Sequence, residues 1–193
     1  DITESVDNEA DPLQQRSSNR ENEENWLVQS DYVHPFGEDG KFETGFRVTS
    51  RLVNNDYKVE ERREDEPWRL VDGPLGDPFD DKVVYTENIY AAYFMAGNKW
   101  GKFQAQAGLR AEYTDIGVEQ RASTATIDKE YLNWFPSAHV GYEFDEENTV
   151  QLSYSYRLNR PRFRSLLPFS NFTDARNFRQ GNPDLDPEFT HSF

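Results

Sequence analysis

Along Thr149–Pro161 the side chains change character at every step. Val150, Leu152, Tyr154, Tyr156 and Leu158 fall on one side, and Gln151, Ser153, Ser155, Arg157 and Asn159 on the other. A period of two is the mark of a β-strand with two unlike faces. Five earlier segments show the same texture. Trp26–Phe36 alternates imperfectly. Phe42, Thr44, Phe46 and Val48 oppose Lys41, Glu43, Gly45, Arg47 and Thr49. Val83–Gly97 is amphiphilic, with ambiguous facing around Ala91 and Ala92. Phe103, Ala105, Ala107, Leu109, Ala111 and Tyr113 oppose Lys102, Gln104, Gln106, Gly108, Arg110 and Glu112. Trp134, Pro136, Ala138, Val140, Tyr142 and Phe144 oppose Phe135, Ser137, His139, Gly141 and Glu143. Alternation sustained over about ten residues outlasts the usual globular strand of about 5 or 6.

The connections between these segments are ordered. Gly37–Gly40, Asn98–Gly101 and Asp145–Asn148 are short, polar and suited to hairpins. Asn54–Lys82, Ile116–Tyr131 and Arg160–Pro187 read as long connections. Short therefore alternates with long. A soluble sheet with one face on a protein core explains the alternation of side chains. It does not explain the order of the loops. A barrel crossing an outer membrane has tight turns at one end, long loops at the other, and strands of about 9 to 11 residues. The expected fold is thus all-β, an antiparallel up-and-down meander forming a segment of a large outer-membrane β-barrel. Its apolar faces would meet lipid, and its polar faces a water-filled lumen.

Composition narrows the picture. Hydrophobic residues make up 35% of the chain and aromatics 15%. The first value is low for a compact core, and the second is too high for disorder. Net charge is −15, from 36 acidic and 21 basic residues, which makes nucleic acid a poor partner. Much of the acid lies in residues 1–24 and around residues 56–81, where it reads either as solvated loop or as a cation-binding or ligand-facing surface. Residues 1–24 are accordingly read as an acidic polar loop or linker. Residues 25–193 are read as a partial barrel of six strands and the start of a seventh at Glu188–Phe193. The chain has no cysteine, which removes disulfide and thiol chemistry. Its first residues have neither the basic start nor the apolar run of a signal peptide, and a strand begins at its end, so a piece of a longer protein is expected.

Particular stretches carry a family likeness: "QSDYVHPF", "GKFETGFR", "NIYAAY", "FQAQAGLRAEYT", "WFPSAHVGYEF", "TVQLSYSYRLNRPRFRSLLPF" and "GNPDLDPE". Together, over residues 24–193, they resemble the C-terminal barrel half of TonB-dependent outer-membrane receptors of the Bacteroidetes type. "GLRAEYT" and the pair "NRP" with "GNPDLDPE" are the most specific parts. The resemblance implies a barrel of about 22 strands, a plug domain inside it, a periplasmic energy-coupling partner and a nutrient ligand. It implies localisation in the bacterial cell outer membrane, no catalytic residues and no cofactor. In the matching motifs, Pro161 would end ladder pairing, and Gly181–Glu188 would form a stiff entry to the next strand.

The basic, aromatic stretch Arg157–Arg179 stands apart from the acidic remainder. Arg160, Arg162, Phe163, Arg164, Phe169, Phe172 and Arg176 are candidates for ligand contact from an extracellular loop, since aromatic and Arg side chains dominate binding hot spots. The competing reading is that the arginines neutralise acidic neighbours and the phenylalanines pack the loop. Asp184, Asp186 and Glu188, and Asp77, Asp80 and Asp81, lack the additional ligands that calcium requires. His34, His139 and His191 show no metal-ligand spacing, and His139 is expected to line the lumen. The rival class is a soluble β-sheet domain that binds or hydrolyses carbohydrate. It would bury Phe46, Leu109, Val140 and Leu152 together beneath a second layer.

Overall fold

The computed structural model describes residues 13–63, 66–72, 80–121, 126–145, 147–166, 170–174, 177–182 and 184–193, with the backbone alone for 170–174 and 177–180. One antiparallel sheet dominates it. The strands are β1 (Leu13–Phe36), β2 (Gly40–Arg63), β3 (Arg69–Leu70), β4 (Asp80–Trp100), β5 (Phe103–Gln120), β6 (Thr126–Glu143) and β7 (Thr149–Asn159). A four-residue helix, α1 (Phe163–Leu166), follows. Then come β8 (Ser170–Asp174), β9 (Asn177–Gln180) and β10 (Glu188–Ser192). The sheet order is β1-β2-β4-β5-β6-β7-β10, with β3 added beside β2, while β8 and β9 form a separate hairpin. This is the expected meander. No helix among the described residues is long and apolar enough to cross a membrane.

Hairpin chemistry sets one end of the sheet. Trp100 pairs with Phe103, leaving a two-residue loop whose first member, Gly101, has φ 60°. Glycine reaches that region without a Cβ penalty, and primed turns match the strand twist. Gly37, with φ 63°, does the same between β1 and β2. At the β6–β7 turn the Asp145 carboxylate accepts hydrogen bonds from the backbone N–H groups of Glu147 and Asn148, at 3.0 and 2.9 Å.

Register then fixes the faces. Val28, Val48, Tyr90, Tyr113 and Leu132 lie in one row across β1, β2, β4, β5 and β6. Tyr32, Thr44, Phe94, Leu109 and Pro136 form another row on the same face. Nearest the turns come Trp100, Phe103, Tyr142 and Val150. These rows make a continuous apolar face. It is bounded by aromatics at both ends, Phe36, Trp100, Phe103 and Tyr142 near the turns and Trp26, Tyr90 and Tyr113 beyond. Trp26–Phe36 is the length of about 9 to 11 residues that crosses hydrocarbon at a tilt, giving a band about 25 Å tall. Nothing covers it. Phe46, Leu109, Val140 and Leu152 are 47%, 46%, 38% and 68% exposed, so the rival soluble fold, which buries them, is excluded.

The strands differ from expectation in length. β1 and β2 have 24 residues each and β4 has 21, well beyond what the membrane needs. Residues 13–24, read as acidic loop, are strand; residues 1–12 lie outside the described residues. Asn54–Arg63 and Asp80–Lys82 are strand as well, and the Ile116–Tyr131 connection shrinks to residues 121–125. The physical reason is an exchange of faces. Beyond the Val28–Leu132 row, the face that was apolar becomes polar, with Glu24, Leu52, Thr86, Gly117 and Asp128 in register. The opposite face becomes apolar, with Glu23, Val53, Tyr85, Val118 and Ile127 in register. Outside the bilayer the outer face meets water and must be polar. The inner face there has another cover: Phe163 and Leu166 of α1 join Val53, Val83, Tyr85, Ile116 and Val118 in a buried cluster.

Candidate functional site

The inner face begins, near the turns, with Lys41, Lys99, Gln104, Gln106 and His139 around a shallow polar depression of about 140 Å³. Lys99 is paired with Glu143 at 2.9 Å. His139 lines this depression, on the face expected for it. Higher up, the Tyr93 hydroxyl donates to Asp31 Oδ1 at 2.6 Å, reaching from β4 across β2 to β1. The ring passes over Gly45, where a Cβ would stand 2.7 Å from it and 2.6 Å from the Asp31 carboxylate. Glycine is needed there because the ring, the carboxylate and the Ser30 backbone carbonyl, also 2.6 Å from a Cβ, occupy the space a side chain would take.

At the far end of the membrane band, Glu112 lies buried between two arginines. Arg110 Nη2 is 2.5 Å from Glu112 Oε2, and Arg160 Nη2 donates to Glu112 Oε1. Arg160 also donates to Thr114 Oγ1 at 3.1 Å, and its Nε is buried without a partner. Burial pushes the Arg160 guanidinium below its ordinary value, and nearby Glu87 opposes the change. An arginine still keeps its charge. Burial likewise pushes the Tyr85 phenol up, helped by Glu87.

Arg160 is where the chain leaves β7 and turns inward. Pro161 follows, and α1 settles against the inner face of β2, β4 and β5. Phe163 meets Tyr85 with ring centroids 4.9 Å apart. Arg164 reaches Glu21 of β1 at 3.4 Å. The return path is held too. The Asn182 backbone N–H donates to the Ser165 carbonyl at 2.8 Å, and Lys129 of β6 donates to the Leu185 carbonyl at 2.9 Å. The described ends of the connection after β7, residues 160–166 together with Asn182 and Leu185, therefore lie as a strap against the inner wall.

The sequence-predicted residues divide accordingly. Arg160 is half-buried in the Glu112 pair. Arg162 and Arg164 are exposed. Phe163 is 5% exposed and packs the sheet, so its expected place at a ligand surface is corrected to a core position. Phe172 lies in β8, whose backbone alone is described; Phe169 and Arg176 lie outside the described residues. Of the acidic groups, Asp186 sits 3.5 Å from Lys129, Asp80 pairs with Arg121 at 3.2 Å, and Asp77 lies outside the described residues. His34 and His191 stand on the apolar face beside Tyr32 and Tyr154. Glu112 and Thr114 were missed. Both stand on the polar side of "GLRAEYT", and the Arg110–Glu112 spacing of two was the available signal, because it puts both side chains on one face.

An unpaired sheet with a bare apolar band and a charged reverse side calls for lipid on one side only. A family model described as "Outer membrane protein beta-barrel family" matches residues 1–193. The chain belongs to the outer membrane protein beta-barrel family. No curated protein matches it. As a member of that family, the chain resides in the bacterial outer membrane, with the Trp26–Phe36 band and its neighbours against lipid. Backbone groups in hydrocarbon must be paired. Among the described residues β1 has a free edge, which in hydrocarbon requires a neighbouring strand of the kind a barrel of this family supplies.

Proposed function

We propose that this barrel segment is wall and mouth of a TonB-dependent-type receptor that takes up a scarce nutrient such as a metal chelate, an oligosaccharide or a peptide. The observation that carries the reading is the strap. A loop anchored inside the lumen by Phe163, Leu166 and the Arg160–Glu112 pair narrows the mouth of the barrel. A mouth narrowed this way favours selective capture over free diffusion, and selective capture against a gradient needs energy. A plug domain and a periplasmic energy-coupling protein would supply it, as the likeness of "GLRAEYT" and "NRP…GNPDLDPE" implies. The lumenal wall contributes polar contacts: Gln104, Gln106, His139 and the Tyr93–Asp31 pair. The role asks no chemical step of these residues.

Deletion of the full-length gene, followed by mass spectrometry of a defined medium, tests the reading. One class among added metal chelates, oligosaccharides and peptides should remain undepleted. The same class should remain undepleted when the energy-coupling protein is deleted instead. Depletion that is indifferent to the coupling protein would point to a passive pore and overturn the proposal.

A further inference from the structure

Charge is distributed unevenly over the strap. The chain carries −15 in all, yet the strap presents two exposed guanidinium groups at α1. Arg162 and Arg164 flank Phe163 on α1. Since Phe163 and Leu166 are buried against the inner wall, the exposed sides of that single turn face away from the wall, toward the barrel axis. Arg164 touches Glu21 at 3.4 Å, with its side chain 70% exposed. Among the described residues, Arg162 has no carboxylate at ion-pair distance.

The carboxylates at this level are already engaged. Glu112 is buried between Arg110 and Arg160. Glu23 is bonded to Arg51 at 2.8 Å. Glu188 accepts from Asn159 at 3.4 Å, and Asp186 faces Lys129 at 3.5 Å. Glu87 lies half-buried beside Tyr85 and Arg160. The buried Glu112 thus satisfies the anchoring arginines, and among the described residues the outer Arg164 has only its exposed contact with Glu21. A planar guanidinium with spare donors, held on a fixed backbone, is suited to bind carboxylate or phosphate oxygens in pairs.

We propose that Arg162 and Arg164 form an anion-binding collar at the lumenal mouth, and that the solute admitted carries carboxylate or phosphate groups. This names the substrate class for the uptake reading above and rests on it. Solvent-exposed positive charge at a narrowed mouth also concentrates anions, an effect that weakens as salt rises.

The test uses the full-length protein in detergent micelles, with citrate and pyrophosphate as probes for the two oxygen chemistries and maltotriose as an uncharged control. Calorimetric titration should show one or both anions binding more weakly as salt rises, and no binding of maltotriose. The double variant R162Q/R164Q should weaken anion binding by about tenfold or more, as expected for loss of charge-assisted contacts. R162K/R164K should recover part of it. Both side chains are exposed, and the variant's melting temperature should match the parent's. Absence of binding by both anions, equal binding of maltotriose, or unchanged binding in the double variant would overturn the collar. If uptake still required the energy-coupling protein in that event, the transport reading would survive the collar's failure.

Discussion

Phe163 tilts its ring 57° against Tyr85 with centroids 4.9 Å apart, and it does so on the face of the sheet that carries charges lower down. The contact explains why the inner face turns apolar beyond the membrane. Val53, Val83, Ile116 and Val118 are buried because the strap covers them, and the strap stays because they attract it. Truncating Phe163 to Ala removes an aromatic ring from a closed cluster, a loss of about 3 kcal/mol in comparable sites. It should raise the open population of the strap about a hundredfold without unfolding the strands. Limited proteolysis of the full-length barrel reads this directly. The Phe163→Ala protein should be cut within residues 160–187 far faster than the parent. Equal cutting rates would mean that the strap is held by something other than this cluster.

A charge placed on either side of one strand should have unequal consequences. Leu109 and Gln106 are both on β5, on opposite faces, near the middle of the apolar band. Leu109→Arg puts a guanidinium into hydrocarbon and should cost about 2 to 4 kcal/mol. Gln106→Arg puts it in the lumen and should cost little. Urea titration of the protein refolded into lipid vesicles gives both values. Equal costs would contradict the assignment of faces.

The meander was legible because alternation between Phe42 and Val48, or between Phe103 and Tyr113, is read by the same side-chain geometry that builds a strand. The extent of the strands was not. In Asn54–Arg63 the alternation continues as Asn55, Tyr57 and Val59 against Asn54, Asp56, Lys58 and Glu60, but with the apolar members on the inner face. Acid content made that stretch look like loop, whereas its charges stand on the side that meets water outside the bilayer. Tyr57 and Val59 are buried all the same, and Val71 packs on them. The candidate site was half legible for a related reason. Composition identified the Arg- and Phe-rich connection after β7. Only the fold shows that Phe163 turns to the wall while Arg162 turns away, because a one-turn helix leaves no periodicity to read.

The glycine beneath Tyr93 offers a graded test of how the inner wall is held together. Tyr93→Phe removes the hydroxyl that donates to Asp31 and keeps the ring over Gly45, so in this exposed setting it should lower stability less than the glycine substitution does. Gly45→Val forces both the ring and the Asp31 carboxylate to move and should cost about 1 to 3 kcal/mol. Adding Tyr93→Ala to Gly45→Val removes the ring but leaves the Ser30 carbonyl in place, so part of that cost, and not all, should return. Urea midpoints in vesicles for the single and double variants decide the matter. Strictly additive losses would show that ring and glycine are independent.

Asp145 gives the sheet a pH-sensitive turn. The Asn148 side-chain amide and then the Glu147 backbone N–H hold its carboxyl below the usual aspartate range, with burial opposing slightly. A depressed carboxyl lends stability that is complete above the unfolded-state value of about 3.9 and is lost as pH falls through the lower folded-state value. Protonation removes the negative charge that draws these donors, so the β6–β7 hairpin should loosen only in acid. Amide protection factors for Glu147 and Asn148, measured by NMR in micelles between about pH 2 and 6, should be flat at the upper end and drop below about pH 4. In Asp145→Asn the amide still accepts a hydrogen bond but has no proton to gain. Its protection should be lower at neutral pH and unresponsive to acid. A parental profile that fell between pH 5 and 6, or one that the substitution left unchanged, would remove Asp145 as the titrating group.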